Sequence, residues 1–365
     1  ADLSVEETER YYASGALIDL KPYIASCMPN LAALLEAHPD WEAAITLPNG
    51  AIAALPTINT LQNNNAIWIN KTWLDNLGLD MPTTADELLE VLRAFKTRDP
   101  NQNSKQDEIP VSFMGMWDLK FLGHAFGLVS NDYGMYLDTD GQVKTTLNIK
   151  ENRAFLTWLN TLWEENLLDH NGFSTIDSLR QITDSNATMT YGMFFAPTPL
   201  NLVPAASMNQ YEVLLPLTYE GKQVYRDLLG DVVRGSFAVT SACKDPETIL
   251  RWVDYLYSEE GSMLAQAGQE GVEYERNADG TWVWMDSLET VANSVLSEAT
   301  IADGGNAPGY YPAELQLTFD NSDTHRIVSN MQTLKEYTVY PYPLVYLDSA
   351  ARERVNAIQL ELGAY

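Results

Sequence analysis

The stretch Asp99-Pro100-Asn101-Gln102-Asn103-Ser104-Lys105-Gln106-Asp107-Glu108 sets oxygen-bearing side chains at alternate positions. That alternation suits a hard cation. Calcium takes about six to eight oxygen ligands, and an EF-hand-like loop offers them at its first, third, fifth, seventh and ninth positions, the seventh through its carbonyl. Counted from Asp99, these are Asp99, Asn101, Asn103, Lys105 by its backbone, and Asp107. The chain must curl round the ion so that alternate side chains converge on it. Two positions depart from the pattern. Ser104 stands where a sharp turn usually takes glycine, and Pro110 where a bidentate glutamate usually closes the shell, so Glu108 would supply that carboxylate. A solvated Asn/Asp turn after a helix has the same composition. Calcium is the preferred reading because the alternate positions fit and a helix feeds the loop. Its role there is structural, since no basic or apolar surround suggests chemistry.

The second group of candidates is aromatic. The chain holds 9 Trp and 19 Tyr, many of them outside regular apolar stripes. Pyranose C–H faces are weakly apolar and suit such rings, while Asn, Asp and Arg groups bond the hydroxyls. Trp117 follows the expected strand Ile109–Phe113, and Phe194 and Phe195 follow another, where strand ends open into a cleft. Tyr310, Tyr311, Tyr340 and Tyr342 lie in Pro/Gly-rich loops. Each ring alone is more often packing than ligand, but as a set at strand ends they point to carbohydrate. Arg234, beside Asp231 and Gly235, reads as a hinge ion pair or a ligand hydrogen-bonder. Trp158, Trp163 and Trp252 fall on helices and are expected in the core. For catalysis the sequence offers no GxSxG, no GxGxxG opening a helix, no P-loop and no HExxH. Paired carboxylates of the glycosidase kind stay as an alternative, because acidic residues are abundant.

The elements that must hold these residues alternate between helix and strand, which indicates α/β. Leu3–Tyr12 is helical and ends near Gly15, and a second helix spans about 30–44. Gly50–Pro56 and Ala66–Asn70 read as strands. Thr84 and Glu87 form a capping box for a helix carrying Leu88, Leu89, Leu92 and Phe95. That helix leads into the acidic loop. Arg153–Leu168 is amphipathic, with Phe155, Leu159, Leu162 and Trp163 on one side. Ala187–Phe195, Tyr211–Leu217 and Gly235–Thr240 are further strands. Asp245 and Pro246 then open a helix that buries Ile249, Trp252, Val253 and Leu256.

A length of 365 residues makes two domains the natural expectation. The net charge of −28, from 22 basic and 50 acidic side chains, repels phosphate backbones and anionic lipid. Nucleic acid is therefore excluded as a partner. No apolar run approaches the ~18 residues needed to cross a bilayer. Cys27 and Cys243 show no metal spacing and read as two buried thiols rather than a disulfide. The four histidines, His38, His124, His170 and His325, lie too far apart in sequence for a zinc pair on one helix.

The run Gly235-Ser-Phe-Ala-Val-Thr-Ser-Ala-Cys-Lys-Asp-Pro-Glu-Thr-Ile-Leu-Arg-Trp-Val-Asp-Tyr-Leu-Tyr-Ser-Glu-Glu-Gly261 resembles family 1 extracellular solute-binding proteins, the sugar receptors of ABC-type importers. Gly271-Val-Glu-Tyr-Glu with Asp279-Gly280-Thr-Trp is similar to the segment that follows in the lipoprotein sugar-binding branch. Ile69-Asn70-Lys71 through Gly78-Leu79, Pro82 to Leu88, and Glu164 to Asp169 agree in the same order, and Asp99–Pro110 looks like the calcium loop of oligosaccharide- and alginate-binding members. The resemblance covers nearly the whole chain. It implies a periplasmic-binding-protein-like α/β fold of two lobes with a hinge and an interlobe ligand cleft. Transferred crossings give residues 1–68 and 237–305 to lobe I, and 69–236 and 306–365 to lobe II. Lobe I is expected to lack its N-terminal part, along with the lipid-bearing cysteine. The candidate ligand set is Trp117, Phe194, Phe195, Arg234, Asn64 (near the first hinge) and Tyr342. The implied role is a non-catalytic, monomeric receptor that delivers carbohydrate to importer permease subunits. It would act outside the cell, as a surface lipoprotein or in the periplasm, touching the membrane only through an anchor this chain lacks. A receptor for peptide or another small solute on the same scaffold is the other alternative.

Overall fold

Ser4 opens the first helix with a reciprocal cap: its hydroxyl accepts from the Glu7 N–H at 3.1 Å, and the Glu7 carboxylate accepts from the Ser4 N–H at 2.9 Å. In the computed structural model the described residues are 3–60, 65–131, 134–174, 191–197, 199, 202–203, 205–226, 230–285, 307–320, 322–341 and 346–362. Helix α1 (Val5–Ala13) is followed by α2 (Lys21–Cys27), α3 (Pro29–Ala37) and α4 (Pro39–Ile45). The single helix expected over 30–44 is broken at Pro39, which has no N–H to continue the ladder. Strand β1 (Leu55–Asn59) begins later than the apolar run from Gly50 suggested, and β2 (Ala66–Asn70) comes where expected. Next are α5 (Lys71–Leu77), α6 (Ala85–Thr97), β3 (Ile109–Val111), α7 (Gly115–Leu119), β4 (Met135–Leu137), β5 (Val143–Thr145) and α8 (Lys150–Glu164). Then come β6 (Tyr191–Ala196), β7 (Tyr211–Val213), β8 (Tyr225–Arg226), β9 (Val232–Phe237), α9 (Pro246–Tyr255) and α10 (Glu259–Ala267). The chain finishes with β10 (Tyr274–Arg276), β11 (Trp282–Trp284), β12 (Gly309–Tyr311), α11 (Ala313–Leu317), α12 (Ser322–Lys335), β13 (Thr338–Val339) and α13 (Ser349–Leu362). Among the described residues no helix is long and apolar enough to cross a membrane.

Two compact units emerge. The first is Ala1–Gln62, Leu229–Asn321 and Pro343–Tyr365; the second is Asn63–Leu228 and Ser322–Tyr342. In the first unit, β1 pairs in parallel with β12 and antiparallel with β9. Helices α2, α3, α4 and α9 bury Ile24, Leu31, Trp41, Ile45, Leu250 and Val253 together with Leu55 and Ile58 of β1. Gly235 in β9 has φ +84°, and a Cβ there would lie 2.0 Å from the Leu3 carbonyl oxygen, so only glycine lets the N-terminal strap approach. Cys27 and Cys243 are free thiols. The segment 306–365 does not stay together as expected. Strand β12 chooses β1 as its partner, and Tyr346 packs beside Leu17, Leu47 and Ala53 while Arg352 pairs with Glu9 at 2.5 Å. Those contacts return 306–321 and 343–365 to the first unit.

In the second unit the sheet order is β3-β6-β2-β7, with β3 parallel to β6 and the other pairs antiparallel. Trp68 on β2 donates its indole N–H to the Ala196 carbonyl at 2.9 Å. Helix α6 packs against this sheet through Leu88, Leu92 and Phe95. At Gly192 an added Cβ would meet the Phe95 ring at 2.4 Å and the Pro110 carbonyl oxygen at 2.9 Å. The missing side chain thus lets α6, and the loop it feeds, sit directly on β6 and β3.

Candidate functional site

Helix α6 delivers the chain into the acidic loop through a defined start and stop. The Thr84 hydroxyl accepts from the Glu87 N–H at 3.2 Å, and the Glu87 carboxylate accepts from the Thr83 N–H and hydroxyl, both at 2.7 Å. Past Thr97 the backbone curls. Asp99, Gln102 and Ser104 adopt φ of 48°, 57° and 61°. Ser104 therefore takes the left-handed conformation that the sixth loop position needs, without being glycine. The Asp99 carboxylate accepts from the Asn103 and Ser104 N–H groups, each at 3.0 Å. Asn101 and Asn103 accept through their side-chain oxygens from Asn103 N–H (3.0 Å) and Lys105 N–H (2.8 Å). Their amide nitrogens turn to the Asp107 carboxylate at 3.3 and 3.1 Å. Asn76 on α5 donates to the Pro100 carbonyl at 2.8 Å and pins the loop's outer side.

Glu108 is the residue by which a cation's fit can be judged. It is 2% exposed, and its Oε1 has no hydrogen-bond partner. Burial pushes its carboxyl up from the usual range, and the nearby Asp107 and Asp99 carboxylates push the same way against Lys96. A buried carboxylate with an idle oxygen beside two others is costly unless positive charge joins it. The donor set Asp99, Asn101, Asn103, Lys105 carbonyl, Asp107 and Glu108 is all oxygen, as calcium prefers. Among the described residues no three His, Cys, Asp or Glu side chains already converge. In this arrangement the asparagine amides donate hydrogen bonds to Asp107, and a cation would take their place.

Strand β3 carries the chain from this loop to the aromatic candidate. Gly115 opens α7 with φ +64°, its N–H donating to the Gly172 carbonyl at 2.7 Å. Trp117 on α7 is 42% exposed, and its ring stands edge-on to Phe121 at 5.2 Å. The next residue, Asp118, is buried. One carboxylate oxygen accepts from the Met114 N–H at 2.7 Å and the other from the Asn65 amide at 2.8 Å. The Asn65 carbonyl takes the Tyr225 hydroxyl at 2.6 Å, and the Arg226 guanidinium lies 4.4 Å over the Phe121 ring. Burial holds the Tyr225 phenol well above its ordinary value, so it remains a donor at any physiological pH. An exposed indole is thus set beside a buried polar network, an arrangement able to stack an apolar face of a small solute.

The other sequence candidates fall elsewhere. Phe194 and Phe195 are 0% and 2% exposed and lie inside the second unit's sheet, Phe194 at 4.9 Å from the Tyr211 ring. They are core residues, not ligand platforms: β6 is covered on both faces, so neither side of its C-terminal end is open. Arg234 belongs to the first unit and lies 4.9 Å over the Tyr346 ring. Asn64 and Tyr342 lie outside the described residues. Trp158 is buried as expected, whereas Trp163 and Trp252 are exposed. Asp118, Tyr225 and Arg226 were missed. Only the adjacency of Asp118 to Trp117 could have signalled the first of them. A groove of about 970 Å³ along the outer side of α6 is lined by Leu79, Met81, Glu87 and Arg93 and includes none of these residues.

Comparison with known proteins sets this geometry in context. The profile of the bacterial extracellular solute-binding proteins matches residues 7–263. The fructooligosaccharide ABC transporter substrate-binding protein FusA of Streptococcus pneumoniae is 32% identical over 371 residues, covering 96% of this chain and 68% of that protein. The structure of S. pneumoniae FusA in complex with kestose is similar at TM-score 0.78 and 26% identity, covering 100% of this chain and 77% of that one. An EF-hand mutant of FusA in complex with fructo-nystose gives TM-score 0.77 at 26% identity, covering 98% and 76%.

Proposed function

The chain belongs to the bacterial extracellular solute-binding proteins, and on that premise we propose that it is the receptor of an ABC-type importer for short neutral oligosaccharides of the kestose kind. Members of this family bind solute and do not transform it. The observation that carries the proposal is the match to a fructooligosaccharide-binding protein along 96% of the chain. Trp117 supports it from the chemistry side, with an exposed indole beside a buried carboxylate network. The charge of −28 favours a neutral sugar over a uronate, which a field of that sign would repel. Trp117 is assigned the stacking role, and Asp118 with Asn65 holds its helix in place.

The loop Asp99–Glu108 is proposed to bind one calcium ion through Asp99, Asn101, Asn103, the Lys105 carbonyl, Asp107 and Glu108. The idle, buried Glu108 oxygen supports this, and so does the EF-hand named in the FusA mutant structure. Bound there, calcium supplies fixed positive charge. The chain's own residues then do the rest: Ser104 makes the turn, and Glu108 ties the turn to β3. The working partners are the importer's permease subunits. The location is outside the cytoplasmic membrane, at the cell surface through a lipid anchor or in the periplasm, with the receptor acting as a monomer.

Isothermal titration calorimetry with kestose tests the sugar assignment. Wild-type protein is expected to bind, and Trp117→Ala to bind at least tenfold more weakly, about 1.4 kcal/mol. Heat from a peptide library, with none from any oligosaccharide, would overturn it.

A further inference from the structure

Arg226 is 3% exposed, a depth that arginine rarely reaches, and a buried charge is weak evidence of stability by itself. Its guanidinium lies 4.4 Å over the Phe121 ring, and a terminal nitrogen donates to the Ser130 carbonyl at 3.3 Å. Phe121 is buried in turn. Its ring meets that of Tyr225 at 5.6 Å and that of Trp117 at 5.2 Å, the latter at an interplanar angle of 71°. The exposed indole of Trp117 is thus the outer end of a chain of contacts that starts at a buried cation.

A second path joins Trp117 to the same strand. Tyr225 precedes Arg226 on β8, its hydroxyl donates to the Asn65 carbonyl at 2.6 Å, and the Asn65 amide donates to Asp118 at 2.8 Å. Asp118 is the chain neighbour of Trp117. Strand β8 is itself fixed by parallel pairing with β13, Thr338 opposite Tyr225 and Val339 opposite Arg226. The hydrogen-bonded path sets where the backbone of Trp117 lies, but it leaves the side-chain torsions of a half-open indole free to change rotamer. The path through Phe121 acts on the ring. A planar guanidinium stacked on an aromatic face holds that ring in place, and Phe121 in turn limits the indole that meets it.

We infer that Arg226 is a positioning residue for the sugar platform: acting through Phe121, it holds the Trp117 indole in one orientation before ligand arrives. This rests on the stacking role proposed for Trp117 and adds a residue that sets affinity without touching the sugar. An indole ordered in advance loses less freedom on binding than one that must first be ordered. The residues concerned, 65, 117, 118, 121, 225 and 226, all belong to the second unit.

The test is a double-mutant cycle on Arg226→Met and Phe121→Leu in the full chain. It is read by fluorine NMR of protein labelled with 5-fluorotryptophan and by calorimetry with kestose. The lines of Trp117 and Trp68 are assigned by their loss in the corresponding Trp→Phe variants. Wild type is expected to give one sharp Trp117 line. Each single variant should broaden or split it, while the line of Trp68, buried in the same unit, keeps its position. The Kd for kestose should rise about fivefold in each single variant and no further in the double, because both changes break one chain of contacts. An unchanged Trp117 line in Arg226→Met, an equal disturbance at Trp68, or losses that multiply in the double variant overturns the inference. If Arg226→Met fails to fold, Arg226→Lys takes its place in the cycle, since it keeps the charge but not the planar contact, and the same readings decide. A wild-type chain that binds no kestose defeats the receptor proposal instead, and the fluorine spectra still judge the positioning by themselves.

Discussion

His124 is wholly enclosed, with its Nδ1 2.6 Å from the Phe121 carbonyl oxygen and its Nε2 without a partner. Burial pushes its imidazole down to about 4, so the folded protein keeps the ring neutral. The unfolded chain protonates it near pH 6.5. Its contribution to stability is therefore complete above about pH 6.5 and is lost as pH falls toward 4, on the order of 3 kcal/mol across that window. Urea unfolding at pH 7 and pH 4.5 should show the gap between wild type and His124→Phe shrinking on the acid side; a constant gap refutes it. At this scale the sequence was informative about chemistry and poor about depth. The alternate oxygens of Asp99–Asp107 could be read directly, because ligand spacing is a local property. Phe194 and Trp252 were misplaced in opposite directions, since residue type alone does not tell which face of an element meets the core.

Elements turn those residues into machinery. The acidic loop joins α6 to β3, and Asn76 and Glu108 fasten its two sides. Calcium at about a hundredfold over its Kd should then add about 2.7 kcal/mol to the chelator-treated protein. That corresponds to a rise of several degrees in melting temperature, at ~2–4 °C per kcal/mol for a domain of this size. The rise should vanish in Glu108→Gln, and a wild type that melts identically with chelator and with calcium would falsify the metal assignment. Helix α9 shows why amphipathic patterning gave only half an answer. Its apolar residues cover both sides, and the periodicity fits either rotation equally. What chooses is Asp254, whose carboxylate caps the start of α3. Asp254→Ala should cost about 2–3 kcal/mol by urea titration, because buried N–H groups lose a charged acceptor. A loss under about 0.5 kcal/mol, the usual range for a surface change, would show that the helix is held by packing alone.

Across the whole molecule, charge decides which ligands approach. With −28 overall, a uronate is repelled at long range and a neutral sugar is not. The Kd for kestose should stay within about twofold between low salt and 0.5 M NaCl, while any binding of oligogalacturonide strengthens as salt screens the field. Equal salt dependence for both would show that the net charge plays no part in selection. The α/β class and the presence of two units were readable from alternating helices and strands and from length. The division of the last sixty residues was not. Strand β12 could pair with β1 or with the second unit's sheet on its own pattern, and only the distant partner settles it.

That discontinuity bears on how the protein comes to be folded. The first unit draws on three separated pieces of chain, and the Glu9–Arg352 pair closes across 343 positions. The sheet of the second unit lies within one stretch and can assemble while later residues are still being made or threaded across a membrane. The core of the first unit has to wait for β9 and α9, because its N-terminal helices bury their apolar faces against Val232, Leu250 and Val253. Until then those faces are available to chaperones and proteases. Closing so long a loop is slow because its entropy must be lost before any contact compensates. The age of a nascent molecule is thus written in which half is protected, a vulnerability that narrows when α9 arrives and leaves Arg352 to make the late tie to Glu9.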